Sequence, residues 1–215
     1  MKYKAVICDL DGTLLNTLED LMDSVNYGLH LHGKPEISLE QTRRFVGNGV
    51  AKLIERAVPQ GTTKEEETEI LAKFKSYYDK HSKDKTRPYE GILDMLKKLK
   101  DNGFKLAIVS NKINSAVGPL AEEYFEGLID VAIGETPEVP KKPAPDMIYK
   151  ALSELGIEKQ DAVFIGDSDV DVETGLNSGI DMITVLWGFR DKEELEKTGA
   201  TVFIERPEDL FMHVL

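Results

Sequence analysis

The chain has 215 residues, 41% of them hydrophobic and 31% charged, with a formal net charge of -12. That length buries a full core and admits one large domain or a main domain with a smaller insert, while the acidic balance excludes a nucleic-acid partner, whose phosphate backbone is bound by Lys and Arg displacing counterions. No apolar run reaches the roughly 18 residues of a membrane span, the amino end carries no signal-peptide core, and the single cysteine, Cys8, excludes an intrachain disulfide; the chain reads as soluble and cytoplasmic, with no membrane partner.

Ala5-Val6-Ile7-Cys8 runs straight into Asp9-Leu10-Asp11-Gly12-Thr13-Leu14. Four apolar residues predict a strand buried on both faces, as in a parallel sheet, and the charge begins where the strand stops. In open α/β sheets that edge is where ligands bind. From residue 17 to about 31, Leu18, Leu21, Met22, Val25 and Leu29 fall on one helical stripe, which Gly33 and Pro35 end. Three further helical stretches follow at 39–45, 50–57 and 64–83, separated by Gly47-Asn48-Gly49 and Pro59-Gln60-Gly61. No strand is predicted between Thr17 and Asp84, so this region reads as an all-helical module inserted early in an α/β chain.

After Arg87-Pro88-Tyr89-Glu90-Gly91 the pattern changes. A helix at 92–101 is stopped by Gly103, and Leu106-Ala107-Ile108-Val109 forms a strand ending at Ser110-Asn111. A short strand at 131–133, a helix at 145–155 and a strand at 162–165 ending at Gly166-Asp167 follow. A helix near 172–178, a strand at 182–186 and a last one at 201–204 close the series. Strands alternating with helices of about ten residues predict a parallel, doubly wound sheet. Cys8, inside a strand, reads as buried filler, and His30, His32, His81 and His213 fall outside every motif.

Each polar strand end has an ordinary explanation by itself. Asp-x-Asp-Gly after a strand is often a turn, Ser110-Asn111 fits a helix cap, Lys142 before Pro143 fits a surface site, and Gly166-Asp167-Ser168-Asp169-Val170-Asp171 fits an acidic loop. A calcium loop starting at Asp167 fails, because Val172 stands where glycine is needed and Ser178 where a chelating Glu is needed. Four such features in this order, three at the ends of core strands, do not read as accident.

Together, DLDGTL at Asp9, SN at Ser110, KPAP at Lys142 and GDSDVD at Asp167 resemble the four signature motifs of the haloacid dehalogenase superfamily. The helical insert resembles the cap of its subfamily of phosphoglycolate phosphatases and β-phosphoglucomutases. The resemblance implies an α/β fold, a Rossmann-like doubly wound parallel sheet core of residues 1–15 and 86–215 with an inserted four-helix cap domain of residues 16–85. It further implies Mg2+ as cofactor, held by side-chain oxygens of Asp9 and Asp167, the backbone carbonyl of Asp11, and Asp171 directly or through water. The charge physics agrees: two carboxylates about 4 Å apart repel by about 4 kcal/mol at an effective dielectric of 20, so these acids need a cation to share a pocket ionised, and Mg2+ takes a few carboxylate oxygens while leaving room for substrate phosphate.

On this resemblance Asp9 is the nucleophile that forms an aspartyl-phosphate, and Asp11 is the acid for the departing alkoxide and then the base for water. Lys142 and Ser110 hold the phosphate. Thr13 lies beside the phosphate or orients the acid loop, and Asn111 either touches phosphate or starts the next helix. Arg43-Arg44-Phe45-Val46-Gly47-Asn48-Gly49-Val50 and Trp187-Gly188-Phe189-Arg190 resemble the corresponding segments of phosphoglycolate phosphatases, which makes Arg43 and Asn48 candidates for substrate recognition. Asn16 stands where the family usually has Asp, and Cys8 where it often has an aromatic. The expectation is a Mg2+-dependent phosphomonoester hydrolase acting on a small-molecule phosphate ester, as a monomer or homodimer. Alternatives are a sugar phosphomutase, a phosphatase for pyrophosphate or nucleoside monophosphates, and a module that merely accepts phosphate on Asp9.

Overall fold

A computed structural model describes residues 2–215. The chain divides into two compact units, residues 1–15 with 88–215, and residues 16–87. In order, the elements are β1 (Ala5–Cys8), β2 (Leu15–Asn16), α1 (Leu18–Leu31), α2 (Leu39–Phe45), α3 (Val50–Ala57), α4 (Lys64–His81) and β3 (Arg87–Pro88). There follow α5 (Ile92–Asp101), β4 (Lys105–Ile113), α6 (Asn114–Phe125), β5 (Val131–Glu135), α7 (Asp146–Leu155), β6 (Ala162–Gly166), α8 (Asp169–Ser178), β7 (Asp181–Val185), α9 (Lys192–Thr198), β8 (Phe203–Ile204) and α10 (Phe211–Val214).

The first unit is the α/β doubly wound sheet. Six strands lie in the order β5-β4-β1-β6-β7-β8, and every pairing between neighbours is parallel. Alternation along β1 sends Val6 and Cys8 into one core, with Met95 and Leu99 of α5 and Leu120 and Phe125 of α6. Ala5 and Ile7 enter the other, with Met147, Ile148, Ala151 and Leu155 of α7. Both faces are therefore covered, which is why the strands read as unbroken apolar runs. β1 is central: Cys8 pairs with Ile108 of β4 and Ile165 of β6. That register brings Cys8, Ile108 and Ile165 level, so the residues after them in the three neighbouring strands, Asp9, Val109 and Gly166, lie side by side.

Three boundaries differ from expectation in ways that matter for the site. β4 does not stop at Val109 but continues through Ser110, Asn111 and Lys112 to Ile113, with a break in its register against β5 between Val109 and Ile113. Ser110 and Asn111 are thus strand residues rather than a helix cap, and α6 starts only at Asn114. The Gly118-Pro119 pair inside α6 hides that helix from periodicity. α8 starts at Asp169 rather than near Val172, because Ser168 and Asp171 form a reciprocal capping box. What reads as an acidic loop is a helix start, and no calcium loop exists there.

The second unit is built of α1 to α4, with only Asn16 of β2 and Arg87 of β3 in strands at its two ends. Leu21, Val25 and Leu29 of α1, Leu53 and Ile54 of α3, and Ile70, Phe74 and Tyr78 of α4 are buried; Met22 is only half-buried. α2 and α4 both open on capping boxes, Ser38 with Gln41 and Thr63 with Glu66. Gly47 and Gly49 have φ of 121° and 85°, the left-handed region in which the loop before α3 needs glycine. Asp20, buried in α1, accepts backbone N–H groups of Lys85 (3.0 and 3.1 Å) and Thr86 (2.8 Å), tying the end of the unit to its beginning. No helix among the described residues is long and apolar enough to cross a membrane.

α1 and α4 pack closely at Gly28, where a Cβ would stand 3.0 Å from the Ile70 carbonyl oxygen and 3.2 Å from its side chain. Gly28→Val is therefore expected to destabilise the helical unit by about 2 kcal/mol through overpacking, read as a lower urea midpoint by circular dichroism.

Candidate active site

Asp9 follows β1 directly, and its backbone N–H donates to the Ile165 carbonyl (2.9 Å), so the sheet ladder itself aims the residue. Asp167 follows β6, and Asp171 is the third residue of α8. One carboxylate oxygen from each of these three buried acids lies within 4.8 Å of the other two. Lys142 reaches the same place from the loop before α7, its ammonium 2.8 Å from Asp9 Oδ1 and 2.7 Å from Asp171 Oδ1.

The carboxylates of Asp171 and Asp167 are each held by backbone N–H groups and a hydroxyl. Asp171 Oδ2 accepts the N–H groups of Asp167 (3.2 Å) and Ser168 (3.1 Å) and the Ser168 hydroxyl (2.6 Å). Asp167 Oδ1 accepts the Thr13 hydroxyl (2.9 Å), and its Oδ2 accepts the Phe189 N–H (2.7 Å). Thr13 is fixed in turn, since the Trp187 indole N–H donates to its carbonyl (2.9 Å). Asn111 Nδ2 donates to the Lys142 carbonyl (2.9 Å), anchoring the loop that carries the lysine. Arg190 Nε donates to Asp169 Oδ1 (3.0 Å) at the start of α8.

Glycines make this density possible. A Cβ on Gly12 would lie 2.3 Å from Asp167 Oδ2, one on Gly188 would lie 2.2 Å from Asp167 Cβ, and one on Gly166 would lie 2.5 Å from Asp171 Cβ. Asp167 is thus clasped between two stretches of backbone that any side chain would push apart.

Asp11 stands outside the cluster. Its carboxylate is bound by Lys112, whose ammonium lies 3.0 Å from Oδ1 and 3.2 Å from Oδ2. Lys112 is buried although it follows a polar pair at what reads as a strand end. The extension of β4 past Val109 brings it there.

The electrostatics follow from burial. Desolvation raises the Asp9 carboxyl well above the usual range, the Asp171 and Asp167 charges add to it, and Lys142 opposes it. Burial, then the Asp171 charge, pushes Asp167 up to about 7 against the bonds from Phe189 and Thr13. For Lys142, burial works against the charge but the Asp171 and Asp9 carboxylates outweigh it, so the ammonium is held above its ordinary value. Burial and the neighbouring Asp9 push the Cys8 thiol up, which keeps it inert as a core side chain. Three acids facing one ammonium leave uncompensated negative charge in a dry place, and all the donors are hard oxygens; the cluster fits a divalent cation of the Mg2+ type.

A family model of haloacid dehalogenase-like hydrolases matches residues 6–185. The chain belongs to that family. Among its relatives, the Pseudomonas aeruginosa protein named phosphoglycolate phosphatase 1 is 33% identical over 96% of this chain and 78% of its own length. The Aquifex aeolicus phosphoglycolate phosphatase is 31% identical over 96% and 94%. A crystal structure from Lactobacillus delbrueckii subsp. bulgaricus matches with a TM-score of 0.95 at 39% identity, covering 100% of this chain and 99% of that one.

Of the residues singled out from sequence, Asp9, Asp167, Asp171, Lys142, Thr13 and Asn111 are joined in one network, with Thr13 bonded to Asp167 and Lys142 bonded to carboxylates. Ser110 is buried at the end of the same sheet and accepts the Lys112 N–H (3.2 Å). Arg43 and Asn48 belong to the helical unit. There the Asn48 carboxamide oxygen accepts from Arg56 (2.8 Å), which also donates to the Phe45 carbonyl (2.7 Å), so the loop before α3 is braced from inside the unit. Arg43 lies 3.9 Å from Glu40 on its own helix. No sequence motif includes Lys112, and Ser168 and Arg56 fall in family-like segments that assign them no role. The spacing of Ser168 and Asp171 was a readable capping signal, whereas nothing local marks Lys112 or Arg56.

Two outcomes follow. Gly188→Ala is expected to displace Asp167 and weaken divalent-cation binding by tenfold or more, within the roughly 10–100-fold range for disturbed ligand support, measured by calorimetric titration of the purified variant. Because the raised carboxyls of Asp9 and Asp167 bind protons in the folded state that the unfolded chain has released, their contribution to stability without metal falls as pH rises from about 4 to about 7. Added Mg2+ favours the ionised acids, so its stabilising shift in melting temperature is expected to be larger at a pH of about 8 than of about 5.5, and its binding near neutrality should release protons into a weak buffer.

Proposed function

We propose that this chain is a Mg2+-dependent phosphatase that hydrolyses 2-phosphoglycolate to glycolate and inorganic phosphate through an aspartyl-phosphate on Asp9. The observation that carries the reading is the convergence of Asp9, Asp167, Asp171 and Lys142 at one sheet edge. The substrate rests on the names of the relatives that match nearly the whole chain.

Asp9, Asp167 and Asp171, with the Asp11 backbone carbonyl, would hold the cation, which when bound supplies positive charge against the phosphoryl oxygens. A carboxylate oxygen of Asp9 attacks phosphorus, and the bond from phosphorus to the ester oxygen breaks. Asp11 gives its proton to the departing alkoxide. Asp11 then takes a proton from water as the water oxygen attacks phosphorus, and the Asp9 carboxylate and inorganic phosphate are released. Lys142, already within hydrogen-bond range of Asp9, holds the nucleophile and neutralises the incoming phosphoryl charge, and the Ser110 hydroxyl donates to an equatorial oxygen. Thr13 and the Phe189 N–H hold Asp167 still throughout. The helical unit acts as a cap that excludes water and selects the ester, with Arg43 and Asn48 as its recognition residues.

Asp9→Asn removes the nucleophile while preserving shape. Phosphate release from 2-phosphoglycolate with Mg2+ is expected to fall by at least about a thousandfold, and a variant that turns over at the wild-type rate would overturn the scheme. A wild-type preference for pyrophosphate or a nucleoside monophosphate in the same assay would overturn the substrate.

A further inference from the structure

Among the described residues, two lysines are buried, Lys142 and Lys112. Lys142 is engaged by two acids of the cluster. Lys112 is buried to the same degree yet faces the carboxylate of Asp11, the group that serves the leaving oxygen in the proposed reaction. A buried ammonium is costly unless anions meet it. Its position is also unusual: β4 is carried past its apolar run, out of register with β5, and delivers this side chain beside the acid.

We infer that Lys112 is a specificity-determining residue that selects phosphate esters carrying a carboxylate close to the ester oxygen. The inference rests on the proposed roles of Asp9 and Asp11. The ester oxygen must come within about 3 Å of an Asp11 oxygen to take its proton. Lys112 Nζ lies 3.0 and 3.2 Å from the two Asp11 oxygens, so the ester oxygen sits within about 6 Å of the ammonium by addition of the two hydrogen-bond lengths. In 2-phosphoglycolate the carboxylate is attached to the carbon that bears the ester oxygen. Its oxygens lie about 3 Å from the ester oxygen, so that separation leaves the ammonium within reach of a charge-assisted hydrogen bond. An ammonium carries three N–H donors and can bridge Asp11 and the substrate carboxylate. A neutral tail in the same place would leave the ammonium facing an uncharged group, and discrimination follows from that difference.

The test compares 2-phosphoglycolate with 2-hydroxyethyl phosphate, an ester of similar size with an uncharged tail, in the wild type with Mg2+ and in Lys112→Met. Contact with Asp11 means that both substrates lose rate in the variant. The expected result is that the ratio of their kcat/KM values falls a further 10- to 100-fold, the worth of one charge-assisted bond, with the selective part in the KM for 2-phosphoglycolate. Lys112→Arg, which keeps the charge, retains most of the preference, and this holds as the readout if Lys112→Met does not fold. A wild-type preference that survives in Lys112→Met, or is lost in a folded Lys112→Arg as completely as in Lys112→Met, overturns the assignment alone. A wild-type enzyme indifferent between the two esters overturns both the assignment and the substrate reading.

Discussion

A single buried ammonium ties the site together. Lys142 stands between Asp9 and Asp171 at hydrogen-bond distance from each, and so joins the end of the central strand β1, the start of α8 and the loop before α7. None of the three is tolerable there alone. A carboxylate or ammonium without a partner in so dry a place costs several kcal/mol, and removing one member of such a group leaves the others uncompensated. The positions of three remote chain segments are thereby made interdependent.

Around that junction the backbone closes in far enough that side chains would not fit. Gly12 and Gly188 press on Asp167 from two loops, and Gly166 does the same to Asp171. The close approach lets the Phe189 N–H reach Asp167, while the indole of Trp187 fixes the carbonyl of Thr13, whose hydroxyl holds the other Asp167 oxygen. Preorganisation of this kind keeps like charges near one another, so the free energy of folding, rather than that of binding, orients them. The same arrangement raises the carboxyls of Asp9 and Asp167. An acidic cluster so prepared has the donor set of a small divalent cation, and its burial penalises full ionisation in the absence of a cation.

Two lysines then divide the charge of the site between its ends. Lys142 pairs with Asp9 and Asp171, and Lys112 pairs with Asp11, two residues further along the chain from Asp9. Asp9 and Asp11 are near neighbours in sequence with opposite environments, one fully enclosed in the cluster and the other at its margin with its own cation. In the proposed reaction these different environments separate the two roles, nucleophile and proton carrier.

The sequence by itself determined the strands of the sheet and the polar residues that end them, because apolar runs and turn residues act locally and carry the same meaning in any context. It also determined the helical insert, through stripes at a helical period and glycines at loop positions. It did not reveal that β4 runs on through Ser110 and Asn111, since the strand resumes its pairing with β5 only at Ile113, beyond a break in register that no local pattern announces. The start of α8 carries a capping signal in Ser168 and Asp171, but that the same two residues also serve the site is visible only in the fold. Which lysine meets which carboxylate was decided only by the tertiary structure: Lys112 is separated from Asp11 by 101 positions and Lys142 from Asp171 by 29, and an ion pair at such separation exists only when the sheet order and register have brought its ends together.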